Sequence, residues 1–279
     1  MYTKQFFVFI VLLILFSACG NRKFVMAHKA QLEDHFIEDG DYRLHYVTIG
    51  SPSNPPLLMI HGAPSNWKAY KNFLTDTVMY NHFQLISVDR LGYGESTSGK
   101  QKVVASIEKQ AEEIEKTLLC NLSGEKAVII GRSYGAPIAA KIAANHPEKV
   151  LKLILAAPVI DPNHEKYFWF AYAARTWLVK PFLPREYATA TDEKFAHSSE
   201  LKKMIQDWKK IICSVTVIQG GKDEIGDKVN LRFSHRMLNK LKSKFIFIPN
   251  AGHYITDEHY DLVKKEVFAA NLEDNFIRK

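Results

Sequence analysis

Short apolar runs alternate with amphipathic stretches along most of the chain. His35 to Asp39 and Asp41 to Thr48 read as two strands around an Asp39-Gly40 turn, a hairpin signal that starts a sheet antiparallel. Six more runs follow, Leu57 to Ile60, Phe83 to Val88, Ala127 to Ile130, Leu151 to Leu155, Val215 to Ile218 and Phe245 to Ile248, each bounded by Gly, Pro, Asn or Asp. Short runs that are apolar on both faces are what parallel strands require when helices cover both sides of a sheet. The stretches between them supply those helices. Val103 to Leu119 places Ile107, Ala111, Ile114 and Leu118 at three- and four-residue spacing, and Pro137 to Ala144 and Asp257 to Ala269 behave similarly. The pattern predicts an α/β fold with a mostly parallel, doubly wound, eight-stranded sheet whose site lies outside the carboxyl ends of its strands.

One interval breaks the alternation. Val159 to Ile212 is too long for a simple connection and predicts a helical cap inserted after the sixth strand. The core is then expected to comprise residues 34–158 and 213–279, with the cap at 159–212. Tyr167-Phe168-Trp169-Phe170-Ala171-Tyr172 makes the cap densely aromatic. Most such rings pack a cap onto its domain, while Trp67, Trp169, Tyr172 and Trp177 are candidates for the wall of an apolar substrate pocket.

Composition narrows the picture modestly. Of the 279 residues, 47% are hydrophobic and 24% charged, enough for a sizeable core. The formal net charge of +7 is spread over dispersed lysines, which argues for solvated faces and against nucleic-acid binding. Cys19, Cys120 and Cys213 lie too far apart for a zinc pattern and are too few for a disulfide framework.

Cys19 stands apart because of its neighbours. Lys4 precedes an unbroken apolar run from Phe6 to Phe16, shorter than the roughly 18 residues a membrane-crossing helix needs. Small residues Ser17 and Ala18 follow, as a cleavage site requires. Leu15-Phe16-Ser17-Ala18-Cys19 resembles the lipobox of bacterial lipoproteins, which implies a signal peptide at 1–18, a lipidated Cys19 and a tether at 19–33. Such a protein is anchored to a membrane of the bacterial cell envelope, facing the periplasm or the cell surface; a transmembrane anchor or simple secretion are the alternatives.

Candidate chemistry centres on Gly131-Arg132-Ser133-Tyr134-Gly135, which joins a predicted strand to a predicted helix. A serine on so tight a turn is forced into strained geometry, and the flanking glycines keep Cβ atoms out of its way. The Tyr134 amide, at the helix start, suits an oxyanion. A serine nucleophile needs an oriented base, and the chain supplies an acid and a histidine in order. Asp223 follows the strand at 215–218 through Gly220-Gly221, and His253 follows the strand at 245–248 through Pro249-Asn250-Ala251-Gly252. Asp161, after the strand at 151–155, is a rival acid. Leu58-Met59-Ile60-His61-Gly62-Ala63-Pro64 offers the Ala63 amide as a second oxyanion donor, with His61 structural. Arg132 either meets an anionic substrate or points into the fold.

Together these segments resemble the α/β-hydrolase superfamily over almost the whole mature chain. Asp89-Arg90-Leu91-Gly92-Tyr93-Gly94-Glu95-Ser96 looks like the loop after the fourth strand in capped members, where it is mostly structural. Epoxide hydrolases and dehalogenases of that group carry aspartate at the nucleophile position, so Ser133 implies acyl transfer to water without metal or organic cofactor. The expected substrate is a small ester with an apolar acyl group. Carbon-carbon bond hydrolysis, amide cleavage, or ligand binding without catalysis are the competing readings.

Overall fold

The computed structural model describes residues 32–99, 103–239 and 242–277. Residues Asp34–Lys279 form one compact unit. The expected signal sequence, Cys19 and all but the last two residues of the tether lie outside the described residues. Among the described residues no helix is long and apolar enough to cross a membrane.

Eight strands build one sheet in the order β1-β2-β4-β3-β5-β6-β7-β8. They are β1 (Glu33–Asp39), β2 (Tyr42–Ile49), β3 (Pro56–Ile60), β4 (Gln84–Val88), β5 (Ala127–Arg132), β6 (Val150–Ala156), β7 (Ser214–Gly220) and β8 (Ser243–Ile248). β2 runs antiparallel to β4, pairing Tyr46 with Val88, and every pairing from β4 to β8 is parallel. The doubly apolar runs behave as expected, since β3, β4 and β5 are buried at every position. The exposed residues of β1, and those alternating along β8, mark the two edges.

The helices that matter for the site are α1 (Ile107–Glu115), α2 (Gly135–Asn145), α3 (Trp169–Arg175), α4 (Arg185–Lys203), α5 (Val229–Met237) and α6 (Tyr260–Ile277). α1 starts later than its apolar stripe suggests because the Ser106 side chain caps it, accepting from the Lys109 N–H. α2 is buried on almost every side, which its run of alanines permits against the sheet. The helix expected at 257–269 divides at His259 into one turn, Ile255–Glu258, and α6.

The inserted segment lies between β6 and β7, but its far end is not separate from the core. Leu201, Met204, Trp208 and Ile211 join the main hydrophobic cluster, with Trp208 edge-on to Phe233 of α5 at 5.8 Å. A sheet covered on both faces needs a packing element at that point, and the last stretch of the insertion supplies it. α4 instead buries a polar face, namely Thr189, Thr191, Glu193, His197 and Glu200.

Candidate active site

Ser133 connects β5 to α2 with φ +53°, the left-handed region that disfavours a residue bearing Cβ. Its own N–H donates to the Ala156 carbonyl of β6 at 3.0 Å, which locks the turn to the sheet. Both flanking glycines are obligatory on packing grounds. A Cβ on Gly135 would lie 2.3 Å from the Ile60 carbonyl oxygen, and one on Gly131 would lie 2.5 Å from the Gly135 carbonyl oxygen. Strain of this kind persists only where the surroundings over-determine it.

Asp223 and His253 leave the ends of β7 and β8 and meet. His253 Nδ1 donates to the Asp223 carboxylate, 2.9 Å from Oδ2 and 3.0 Å from Oδ1. The carboxylate also accepts from the backbone N–H groups of Ile225 and Gly226 and from Gln219 Nε2. Burial opposes its ionisation, but the His253 hydrogen bond and charge together with those two amides prevail and hold the Asp223 carboxyl below the usual carboxylate range. The two loops press together at Gly220, where a Cβ would come within 2.3 Å of the Gly252 carbonyl oxygen. Asp161 is engaged elsewhere: it accepts from the Asn163 N–H and His164 Nδ1, with Arg236 at 3.6 Å. The Asp-His pairing therefore belongs to Asp223. Among the described residues Ser133 Oγ makes no direct hydrogen bond to His253.

The turn after β3 abuts the turn that carries Ser133. A Cβ on Gly62 would sit 2.9 Å from Ser133 Cβ and 3.4 Å from its Oγ, so only glycine allows this approach. The N–H groups of Ala63 and Tyr134 find no acceptor among the described residues. His61 is structural: Nδ1 donates to the Gly62 carbonyl at 2.6 Å and Nε2 accepts from the Arg90 N–H at 3.0 Å. Burial, with Arg90 nearby, pushes its pKa well below the ordinary histidine value. Below about pH 6.5 the unfolded chain protonates this ring and the folded one does not, so stability drops as the pH is lowered, by up to about 1.4 kcal/mol per unit. A His61→Asn variant should show a shallower slope of unfolding free energy between pH 5 and about pH 6.5, measured by urea titration.

Two supports for the site were not legible in the chain. Arg132 does not face a substrate anion; its guanidinium bonds Asp257 Oδ2 at 2.8 Å and Thr256 Oγ1 at 3.1 Å. It thus ties the elbow to the turn that follows His253. Asp257→Ala should lower turnover about tenfold by letting the imidazole drift, with a small change in unfolding midpoint, since an ångström of misplacement can cost up to about 100-fold in rate. The second support is Arg90, fully buried, whose guanidinium binds Glu193 of α4 at 2.7 and 3.0 Å. Both residues were visible as charges in the sequence, but nothing local paired them across about a hundred positions.

Trp67 is buried, with its backbone N–H donating to Asp89 Oδ1. Trp169, Tyr172 and Trp177 are mostly in solvent, which is not the setting of residues lining an enclosed pocket; α3 buries none of its residues. The Asp89 to Ser96 loop is structural as expected. Gly94 has φ +51°, and a Cβ there would overlap the Asp89 carboxylate, which also accepts from His45 and the Glu95 N–H. A cavity of about 210 Å³ lined by Pro56, Leu118, Asn121 and Lys149 opens at the amino ends of β3 and β5, away from Ser133.

The model of the alpha/beta hydrolase fold family matches residues 55–181. The chain has the α/β-hydrolase fold. The matched span includes Ser133 and ends before Asp223 and His253, whose pairing rests on the geometry above. Over 132 residues the hydrolase-fold chain is 32% identical to epoxide hydrolase 4 of Mus musculus, covering 47% of itself and 35% of that protein. It therefore spans about a third of that relative's length. Two solved structures share the fold. A bacterial membrane phospholipase A superposes with TM-score 0.66 at 19% identity, covering 96% of this chain and 98% of that one. A carboxylesterase of the thaumarchaeon Nitrososphaera gargenis gives 0.67 at 18% identity, covering 86% of this chain and 100% of that one.

Proposed function

We propose that this chain is a serine hydrolase that cleaves a small ester with an apolar acyl group through an acyl-enzyme. The observation that carries the reading is Ser133 held at positive φ beside Gly62, with the hydrogen-bonded Asp223-His253 pair likewise past the carboxyl ends of its strands. In this mechanism Ser133 Oγ attacks the ester carbonyl carbon while its proton passes to His253 Nε2, and Asp223 stabilises the imidazolium through Nδ1. The Ala63 and Tyr134 amides donate to the oxyanion, each worth about 2.7 to 4 kcal/mol of barrier. The alcohol departs with the proton from His253, and water then cleaves the acyl-serine by the reverse sequence.

The curated relative is named an epoxide hydrolase, but the resemblance implies aspartate at the nucleophile position for that chemistry, and serine stands here. The test is hydrolysis of p-nitrophenyl esters from acetyl to decanoyl. Turnover with an optimum chain length supports the ester reading and sizes the acyl site; turnover of an epoxide but of no ester overturns it. We place the enzyme at the bacterial envelope through a lipid on Cys19, in which case Cys19→Ser moves it from the membrane to the soluble fraction. Unchanged membrane association of that variant contradicts the lipid anchor.

A further inference from the structure

The most conspicuous surface feature is the outer part of the cap. Trp169 is 74% exposed, Trp177 81% and Phe182 87%, with Phe170, Tyr172 and Leu178 also more than half exposed. α3 is apolar and aromatic through Tyr172 yet none of its residues is buried. An apolar helix normally finds cover, and a contiguous exposed aromatic patch marks an interaction surface. The charges nearby say what kind. From Lys166 to Arg185 the chain carries Lys166, Arg175, Lys180 and Arg185 and no carboxylate. Lys166 and Lys180 are engaged by Asp227 and Asp192, whereas Arg175 lies over the Phe195 ring and Arg185 bonds the Gly94 carbonyl. Neither arginine has a carboxylate partner among the described residues.

We propose that residues 167–185 are a docking surface for an anionic phospholipid bilayer. Trp and Tyr rings sit at the level of lipid headgroups, where an apolar body and a polar edge are both satisfied, while Phe182 and Leu178 reach the acyl boundary. Arg175 and Arg185 then meet lipid phosphates, and their missing carboxylates are explained. A second copy of the chain would cover the aromatics but would leave the arginine charge opposed by its own like charge across a twofold axis. The surface flanks α4, which packs against the Asp89 to Ser96 loop, so docking sets the cap against the lipid while the sheet stays in water.

The tryptophans make the test direct, because Trp67 and Trp208 are 7% and 1% exposed and serve as the silent background. The full-length protein is mixed with vesicles of phosphatidylcholine alone or with 30% phosphatidylglycerol, with and without brominated acyl chains. The proposal expects a shift of emission to shorter wavelength and bromolipid quenching on the anionic vesicles, both lost in Trp169→Phe/Trp177→Phe and weakened by high salt. Quenching that persists in the double variant, or no quenching in the wild type, overturns it. A shift that grows with protein concentration without lipid, together with a dimer in sedimentation, assigns the surface to a second copy instead and also overturns it. Labelling of Ser133 is a separate readout, so failure here and failure of the hydrolase reading are distinguishable.

Discussion

Changing Ser133 to alanine is expected to lower kcat for ester hydrolysis by about 10⁴-fold or more without weakening the fold. The loss is large because in the proposed mechanism Oγ is the atom that forms the covalent bond, and neither His253 nor the amides of Ala63 and Tyr134 can replace it. What survives is the residual effect of binding and the oxyanion donors. Stability moves independently. Alanine keeps a Cβ at φ +53° and so retains the backbone strain, whereas Ser133→Gly should be stabilised relative to it by about 1 kcal/mol. A urea titration of the three proteins in parallel with their turnover checks both halves. A glycine variant less stable than the alanine variant would mean that the elbow is not strained.

Glu193→Ala is expected to cost about 3 to 5 kcal/mol, a large part of the 5 to 15 kcal/mol that typically holds a domain together. Arg90 and Glu193 are both fully buried, and the guanidinium lies over the rings of Tyr93 at 4.5 Å and Tyr134 at 4.8 Å. Tyr93 Oη also donates to Glu193 Oε2 at 2.5 Å. Burial alone would favour a neutral Arg90, but the Glu193 carboxylate overrides it and raises the arginine pKa. Removing that carboxylate leaves an uncompensated buried cation and an unsatisfied tyrosine. The damage should reach the site, since Arg90 Nη2 approaches the Gly62 carbonyl at 3.4 Å and the Arg90 backbone N–H holds His61, so the turn beside Ser133 rests on this cluster. Arg90→Met combined with Glu193→Leu should recover most of the stability, because paired apolar replacement avoids the lone charge. A double variant as unstable as Glu193→Ala would show that packing, not the stranded charge, sets the loss.

The strands, their parallel order and the cap's point of insertion were legible because each rests on a local signal. Runs apolar on both faces give buried strands, and Gly131 and Gly135 give the elbow because packing there leaves no room for a Cβ. The choice of Asp223 over Asp161 was open from sequence, since both follow strands; what decides it is the distance between two loops. The choice between the two readings of Arg132 was open for the same reason: its partner Asp257 lies 125 positions away. The cap was read least well. Its aromatics suggested packing onto the domain and, for a few rings, a pocket wall, but periodicity records only that a helix is apolar, not whether the apolar side faces the domain or the outside. The insertion's return to the core at Trp208 was likewise hidden, because one tryptophan among lysines gives no face.

The central claim is that Ser133 is a nucleophile activated by His253. Treatment with a fluorophosphonate, followed by mass spectrometry of the peptides, tests it most directly. The account predicts a single adduct, on Ser133, that is absent from His253→Ala although the serine remains. No adduct on the folded wild-type protein, or labelling of Ser133 that persists undiminished in His253→Ala, would contradict it.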